Sequence, residues 1–366
     1  MGDWPKIIHT ADLHLGMTFK NLGDKSKQHR RDCLDVFSNI IELCIKENAD
    51  ALLIAGDLFD KPNPSKTIVT HVINGFERLN KKNIPVLIST GNHDPYESGS
   101  VWFGYNFPSN VHIYDSKDLE PKTVGNLDIY GLAYTDNGME PLKSFKPQKS
   151  NNYKIGLIHG STVNVQDDSD PENSYRPITK QQINKSGLDY VALGHFHDFL
   201  DIGTKVKCCY CGSPEGLSFK NNNNNSVIIT EFQKDGVKVK QHETAIREFE
   251  NLVIDCTKYE DESQIRKALL DNANQNKIMR VILKGNPSLD FSIDKESLEN
   301  EFYDKYFFLK IEDNIHIPQD LHEDETIRGQ FIRILREEVE KEEDETKRKK
   351  LENAMRIGIG YLDKNM

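Results

Sequence analysis

The chain has 366 residues, of which 37% are hydrophobic and 29% charged, and its formal net charge is −11. That length and mix suit two folded domains with an appendage. The charge argues against a generally basic nucleic-acid binder, but leaves room for a carboxylate-rich metal site.

The opening, Met1-Gly2-Asp3-Trp4-Pro5-Lys6, runs straight into an apolar strand pattern. It has no signal-peptide layout, and Lys6 stands where a myristoylation signal needs Ser or Thr. No apolar run approaches the ~18 residues of a membrane span. The expectation is a cytoplasmic protein without a membrane partner.

Over residues 1–245, short apolar runs alternate with amphipathic stretches. Ile7-Ile8, Ala51 to Ile54, Pro85 to Ile88, Ile155 to Ile158 and Tyr190 to Leu193 read as buried strands. Leu34, Phe37, Ile41 and Cys44 recur at helical spacing, as do Ile68, Val69, Val72, Ile73, Phe76 and Leu79 after Ser65. This is an α/β pattern with covered sheets. Cys208-Cys209-Tyr210-Cys211 lacks the second ligand pair that a zinc site needs and reads as a strand of reduced thiols. The Asn221–Asn225 run is a loop, and Asp235-Gly236 turns a hairpin between Val227-Ile228-Ile229 and Val237-Lys238-Val239.

Residues 250–313 predict a small α/β cap in the order β-α-β-α-β. Its strands are Leu252 to Ile254, Arg280 to Leu283 and Phe307 to Ile311, and its helices Ser263 to Ala273 and Lys295 to Tyr303. Pro318 breaks the chain. The tail, residues 319–366, reads as helix from Asp324, with Ile327, Phe331, Ile334 and Leu335 on one face and Leu351, Met355 and Ile359 continuing at a spacing of four. Two readings stand for it: a partner-binding helical hairpin, or helix packed back on the body.

Each of the five buried strands is followed at once by side chains able to bind metal. Asp12 and His14 follow the first, Gly56-Asp57 the second, and Gly91-Asn92-His93-Asp94 the third; His159-Gly160 follows the fourth, and Gly194-His195-Phe196-His197 the fifth. Open α/β sheets place their sites at the carboxyl ends of strands, so these residues converge on one edge. Asp, His and Asn without thiolate suit Mn²⁺, Fe²⁺ or Zn²⁺. Seven candidate ligands, Asp12, His14, Asp57, Asn92, His159, His195 and His197, exceed the needs of one ion and fit two bridged by a carboxylate.

Taken as an ordered set, these motifs resemble the signature of the calcineurin-like metallophosphoesterases. The resemblance implies a two-sheet sandwich flanked by helices. It implies one metal on Asp12, His14, Asp57 and His197, and another on Asp57, Asn92, His159 and His195, with Asp57 bridging. His93 would act on the substrate, and Asp94 would orient His93. Protein phosphatases of this superfamily carry a phosphate-binding Arg after the bridging Asp, whereas this chain reads Gly56-Asp57-Leu58-Phe59-Asp60-Lys61.

His9-Thr10-Ala11-Asp12-Leu13-His14-Leu15-Gly16, the Ala55–Asp60 run and the order catalytic domain, cap, tail helices look more like the SbcD-type nucleases of double-strand-break repair and their archaeal and eukaryotic relatives. That family implies a Mn²⁺-dependent DNA exo- and endonuclease with two Mn²⁺ per subunit. It implies a homodimer through Ser65–Asn80 and the stretch with Val101, Trp102, Phe103, Tyr105 and Phe107, although ordinary core explains that stretch equally well. It also implies an SMC-like coiled-coil ATPase bound by the tail, and DNA phosphates met by Lys20, Lys25, Lys27, Arg30 and Arg31. Asp60 departs from many archaeal and eukaryotic members, which have a His there that is thought to help rotate DNA for exonuclease cutting. A small-molecule phosphodiesterase or phosphatase is the alternative enzyme, and a catalytically silent tether for the ATPase the non-enzymatic one.

Overall fold

The structure is a computed structural model that describes residues 4–135, 138–162, 175–220, 224–287, 291, 293–315 and 326–364. The break at Pro318, the start of the tail at Asp324 and most of the asparagine run lie outside them. By its contacts the chain divides into Met1–Glu248 and Phe249–Met366.

The first unit runs β1 (Lys6–Thr10), a 3₁₀ turn at Lys20–Lys25, α1 (Ser26–Lys46), β2 (Ala51–Ala55), α2 (Lys66–Asn80), β3 (Val86–Ser89), α3 (Val101–Gly104), β4 (Val111–Ile113), β5 (Glu120–Val124) and β6 (Leu127–Gly131). It continues with β7 (Tyr153–His159), α4 (Lys180–Lys185), β8 (Tyr190–Gly194), β9 (Leu200–Asp201), β10 (Lys207–Tyr210), β11 (Ser226–Gln233) and β12 (Gly236–Glu243). Two six-stranded sheets result, ordered β12-β11-β1-β2-β3-β4 and β5-β6-β7-β8-β10-β9. They form the expected sandwich.

Alternation along the strands decides which face meets which layer. Ile7, Ala51, Leu53, Leu87, Ile129, Ile155, Leu157, Tyr190 and Ala192 turn inward and build the core between the sheets. Ile158, Val191 and Leu193 face the other way, into a separate core with Ile178 and Ile183. The cysteine strand obeys the same rule. Cys209 and Cys211 join the inter-sheet core and Cys208 the outer one. All six thiols are free and buried, and burial pushes Cys208 and Cys211 well above the usual thiol range. Thiols split between two faces cannot act as one ligand set.

Helix α1 begins eight residues before the first apolar position at Leu34. Its inner face opens with His29, Asp32 and Cys33 before Val36, Phe37, Ile40 and Ile41 take over. In the aromatic stretch, Trp102 is buried against Phe59 and Phe107, whereas Phe103 is 56% exposed. No helix among the described residues is long and apolar enough to cross a membrane.

The second unit has β13 (Glu248–Asp255), α5 (Ser263–Asp271), β14 (Lys277–Gly285), α6 (Lys295–Glu301) and β15 (Phe308–Ile315), followed by helices α7 (Ile327–Lys341) and α8 (Glu345–Lys364). The sheet order is β13-β14-β15, with β14 and β15 parallel. Ile265, Leu269, Val281, Leu283, Leu298 and Ile311 fill its core. Helices α7 and α8 close on each other through Ile332, Met355 and Ile359, with Phe331 and Leu335 against them. Ile327 and Ile334 do not share that face, being 70% and 64% exposed.

Candidate metal centre

Strands β1, β2 and β3 are mutually parallel in one sheet, and β7 and β8 are parallel in the other. Their carboxyl ends carry the five motifs, and the structure brings them together across the sandwich. Asp12, His14 and His197 each place one ligand atom so that all lie within 4.8 Å of one another, and so do Asp12, Asp57 and His159.

Asp57 lies between the halves. Its Oδ1 accepts the His93 backbone N–H at 2.9 Å. Its Oδ2 is 3.6 Å from His14 Nε2 and 3.5 Å from His159 Nε2. On one side His14 Nε2 faces His197 Nε2 at 3.2 Å. On the other, Asn92 Oδ1 lies 2.8 Å from His159 Nε2, and the His195 ring stands edge-on to His159 with centroids 5.3 Å apart.

Second contacts set the direction of these rings. His159 Nδ1 donates to the Ala55 carbonyl at 2.8 Å, which leaves the Nε2 lone pair for the centre. Both oxygens of Asp12 accept the His195 N–H at 3.0 Å. His14 Nδ1 is 3.6 Å from Asp60 Oδ1.

Two imidazole nitrogens aimed at one point, and one carboxylate oxygen shared between two such sets, fit divalent metal ions. With hard and borderline donors and no thiolate, the set suits oxygen- and nitrogen-loving dications.

Backbone strain collects at the same residues. Asp12, His14 and Asp57 have φ of 52°, 43° and 49°, and His195 has φ of 109°. Such conformations cost non-glycine residues about 1–3 kcal/mol each and persist where the surrounding structure over-determines them. Two motif glycines have a steric reason. A Cβ on Gly56, itself at φ 87°, would run into the His159 ring, and one on Gly91 would fall on the Asp57 carboxylate.

Without metal, the charges contend. Burial, then the neighbouring Asp57, raises Asp12 well above the carboxylate range. Burial pushes Asp57 the same way, but the positive ends of His159, His14 and His93 overcome it and lower Asp57 to about 2. Burial opposes charge on His14, yet Asp60, Asp57 and Asp12 raise it to about 9. Burial holds His159 down at about 4 against the pull of Asp57.

His93 is exposed, and its Nδ1 donates to the Asp60 carbonyl at 3.1 Å, so Nε2 is directed elsewhere. The expectation that Asp94 orients His93 is corrected here. The Asp94 carboxylate is fully buried and accepts the Gly91 and Phe59 N–H groups at 2.8 and 3.1 Å. It ties the third motif to the loop after the second, and the Asp60 carbonyl orients His93 instead.

Lys20, Lys27, Arg30 and Arg31 are exposed and Lys25 half-buried, on the 3₁₀ turn and the first turns of α1. Sequence reading missed Arg176. Its guanidinium is buried 4.3 Å over the Tyr134 ring, donates to the Ala133 carbonyl at 2.6 Å and sets a positive charge near His159. No apolar spacing or motif marks it.

Residues 5–199 match the family model for calcineurin-like phosphoesterases. The chain belongs to that family. Membership implies a hydrolase of phosphoesters that uses divalent metals. Among curated calcineurin-like relatives, the uncharacterized metallophosphoesterase YhaO of Bacillus subtilis is 32% identical over 52% of this chain and 48% of its own. The DNA double-strand break repair protein Mre11 of Sulfurisphaera tokodaii is 25% identical over 90% of this chain and 88% of its own. The SbcD component of the nuclease SbcCD from Staphylococcus saprophyticus is 29% identical over 52% of this chain and 56% of its own. This phosphoesterase therefore spans about half the length of YhaO and of the SbcCD component, and most of the Sulfurisphaera protein.

Proposed function

We propose that the chain is a Mn²⁺-dependent DNA nuclease of double-strand-break processing in the cytoplasm, with 3′–5′ exonuclease activity on duplex ends and endonuclease activity on single strands. The observation that carries this reading is similarity to an Mre11 protein over 90% of the chain, including the regions outside the family domain. The absence of a phosphatase-type Arg after Asp57 agrees with it.

Asp12, His14, Asp57 and His197 would hold one Mn²⁺, and Asp57, Asn92, His159 and His195 the other. Such a pair polarises a phosphoryl oxygen, supports water as the attacking group and steadies the leaving oxygen. His93, fixed through Nδ1, would present Nε2 to the substrate, to protonate the leaving oxygen or to stabilise charge in the transition state. Asp94 would act at one remove, by holding the loops that carry Asn92 and Asp57. The exposed cations of the 3₁₀ turn and α1 would meet DNA phosphates. The protein would work as a homodimer through α2 and the Val101–Phe107 stretch, with α7 and α8 binding an SMC-like coiled-coil ATPase.

The second reading is a small-molecule phosphodiesterase or phosphatase of the same family, in keeping with the similarity to YhaO, whose name gives a metallophosphoesterase and no substrate. The two separate when the full chain is incubated with Mn²⁺ and end-labelled duplex, single-stranded DNA or a chromogenic phosphodiester. Degradation of both DNAs supports the nuclease. Turnover of the chromogenic ester alone removes it in favour of the second reading. Loss of His93 should slow DNA cleavage about 100- to 10,000-fold, and equal cleavage by His93→Ala would remove that residue's assignment.

A further inference from the structure

One layer beneath the proposed ligands, two buried polar side chains cross from sheet to sheet. His9 on β1 reaches β8 with both ring nitrogens, Nδ1 lying 2.9 Å from Tyr190 Oη and Nε2 3.2 Å from the Leu193 carbonyl. Ser89 on β3 donates its hydroxyl to the Leu157 carbonyl of β7 at 2.6 Å and accepts the Leu132 N–H at 3.2 Å. Both residues are fully buried.

Their spacing repeats. His9 stands three residues before Asp12, and its acceptor Leu193 two before His195. Ser89 stands three residues before Asn92, and its acceptor Leu157 two before His159. The first crossing ties the strand of Asp12 and His14 to the strand of His197. The second ties the strand of Asn92 to that of His159. The first link thus joins β1 to the strand that leads to both His195 and His197, and the second joins two strands of the Asn92–His159 half-site.

The proton order of the first crossing follows from its partners. A carbonyl only accepts, so His9 Nε2 carries the hydrogen and Nδ1 receives the Tyr190 hydroxyl. Cys209, 3.2 Å from Tyr190 Oη, then donates its thiol hydrogen to that oxygen. The chain is neutral throughout, in keeping with the burial that holds His9 down at about 3. Such fully satisfied buried links fix a geometry that apolar contacts alone leave free to slide.

We propose that His9 and Ser89 are positioning residues, cross-sheet struts that hold the ligands contributed by the two sheets in register for metal binding. The inference rests on the two-metal reading of the site.

Its test is titration of the full chain with Mn²⁺ alone, followed by calorimetry, with thermal unfolding recorded on the same samples. His9→Leu and Ser89→Ala are expected to weaken Mn²⁺ binding by about tenfold or more, as loss of supporting hydrogen bonds does at metal sites. His9→Gln, which restores a donor for Leu193, should recover most of it. Val191→Ala, a core truncation on the outer face of β8 away from both struts, should bind Mn²⁺ as wild type although it loses stability. Unchanged affinity in both strut variants, or an equal loss in Val191→Ala, would overturn the proposal. Failure of the wild-type chain to bind Mn²⁺ would instead remove the metal reading, and this inference with it.

Discussion

In the proposed centre Asp57 would serve two half-sites. Its Oδ1 is fixed by the His93 backbone, which leaves Oδ2 between two imidazoles. Gly91→Ala would place a methyl on that carboxylate. The expected outcome is a folded protein with Mn²⁺ affinity reduced at least tenfold, measured by calorimetry beside circular dichroism.

His14 gives a pH signature. Its value is raised to about 9 in the metal-free protein, so the imidazole is protonated at pH 7 and must lose that proton to bind metal. Mn²⁺ affinity should therefore rise with pH up to about 9, with protons released on binding at pH 7. Titrations in buffers of different ionisation enthalpy would show this, and no buffer dependence would contradict it. The stability linkage has the opposite sense. A folded value raised above the ordinary histidine value stabilises the metal-free protein below about pH 6.5, and that contribution is lost as pH rises through 9.

The convergence of these side chains was legible at this scale because they follow strand ends directly in the sequence. What supports the ligands was not. The Ala55 and Asp60 carbonyls are backbone atoms with no sequence mark, and Arg176 becomes relevant only when the chain folds back beside His159.

At the scale of elements, α1 joins two tasks. Lys27, Arg30 and Arg31 face solvent while Asp32, on the opposite side, pairs with Arg247 Nε at 2.8 Å, and His29 lies 2.9 Å from the Gly216 carbonyl. Glu215 accepts the Ile246 and Arg247 N–H groups at 2.7 and 3.0 Å, so the segment leaving β12 is fastened to the same cluster. Arg247→Ala would strand a buried carboxylate and is expected to cost about 3 kcal/mol, read from a urea midpoint. Replacing Lys27, Arg30 and Arg31 with Ala together should leave Mn²⁺ binding intact and flatten the salt dependence of duplex binding by ~0.9 for each phosphate no longer neutralised. An unchanged slope would take these residues off the DNA path.

The helix spacing predicted α1 from Leu34 onward, but its first turns are buried through His29 and Asp32. A pattern read in apolar residues does not register a polar inner face. Strands β4 to β6 escaped for a related reason, since none of them delivers a ligand. In the tail, helical spacing alone put Ile327, Phe331, Ile334 and Leu335 on one stripe, whereas pairing with α8 keeps Phe331 and Leu335, adds Ile332 and leaves Ile327 and Ile334 exposed.

For the whole molecule, the sandwich exists to bring two sets of parallel strands edge to edge. Neither sheet alone holds a complete set: Asp12, His14, Asp57 and Asn92 come from one, and His159, His195 and His197 from the other. The metal centre is thus tied to the packing of Ile7, Leu53, Leu157 and Tyr190 between the sheets. The most direct measurement of this arrangement is the number of Mn²⁺ ions bound per chain, counted by equilibrium dialysis with metal analysis. Two ions are expected for the wild-type chain, with both sites weakened in Asp57→Ala. A single ion, held equally well after Asp57→Ala, would contradict a centre bridged by that residue.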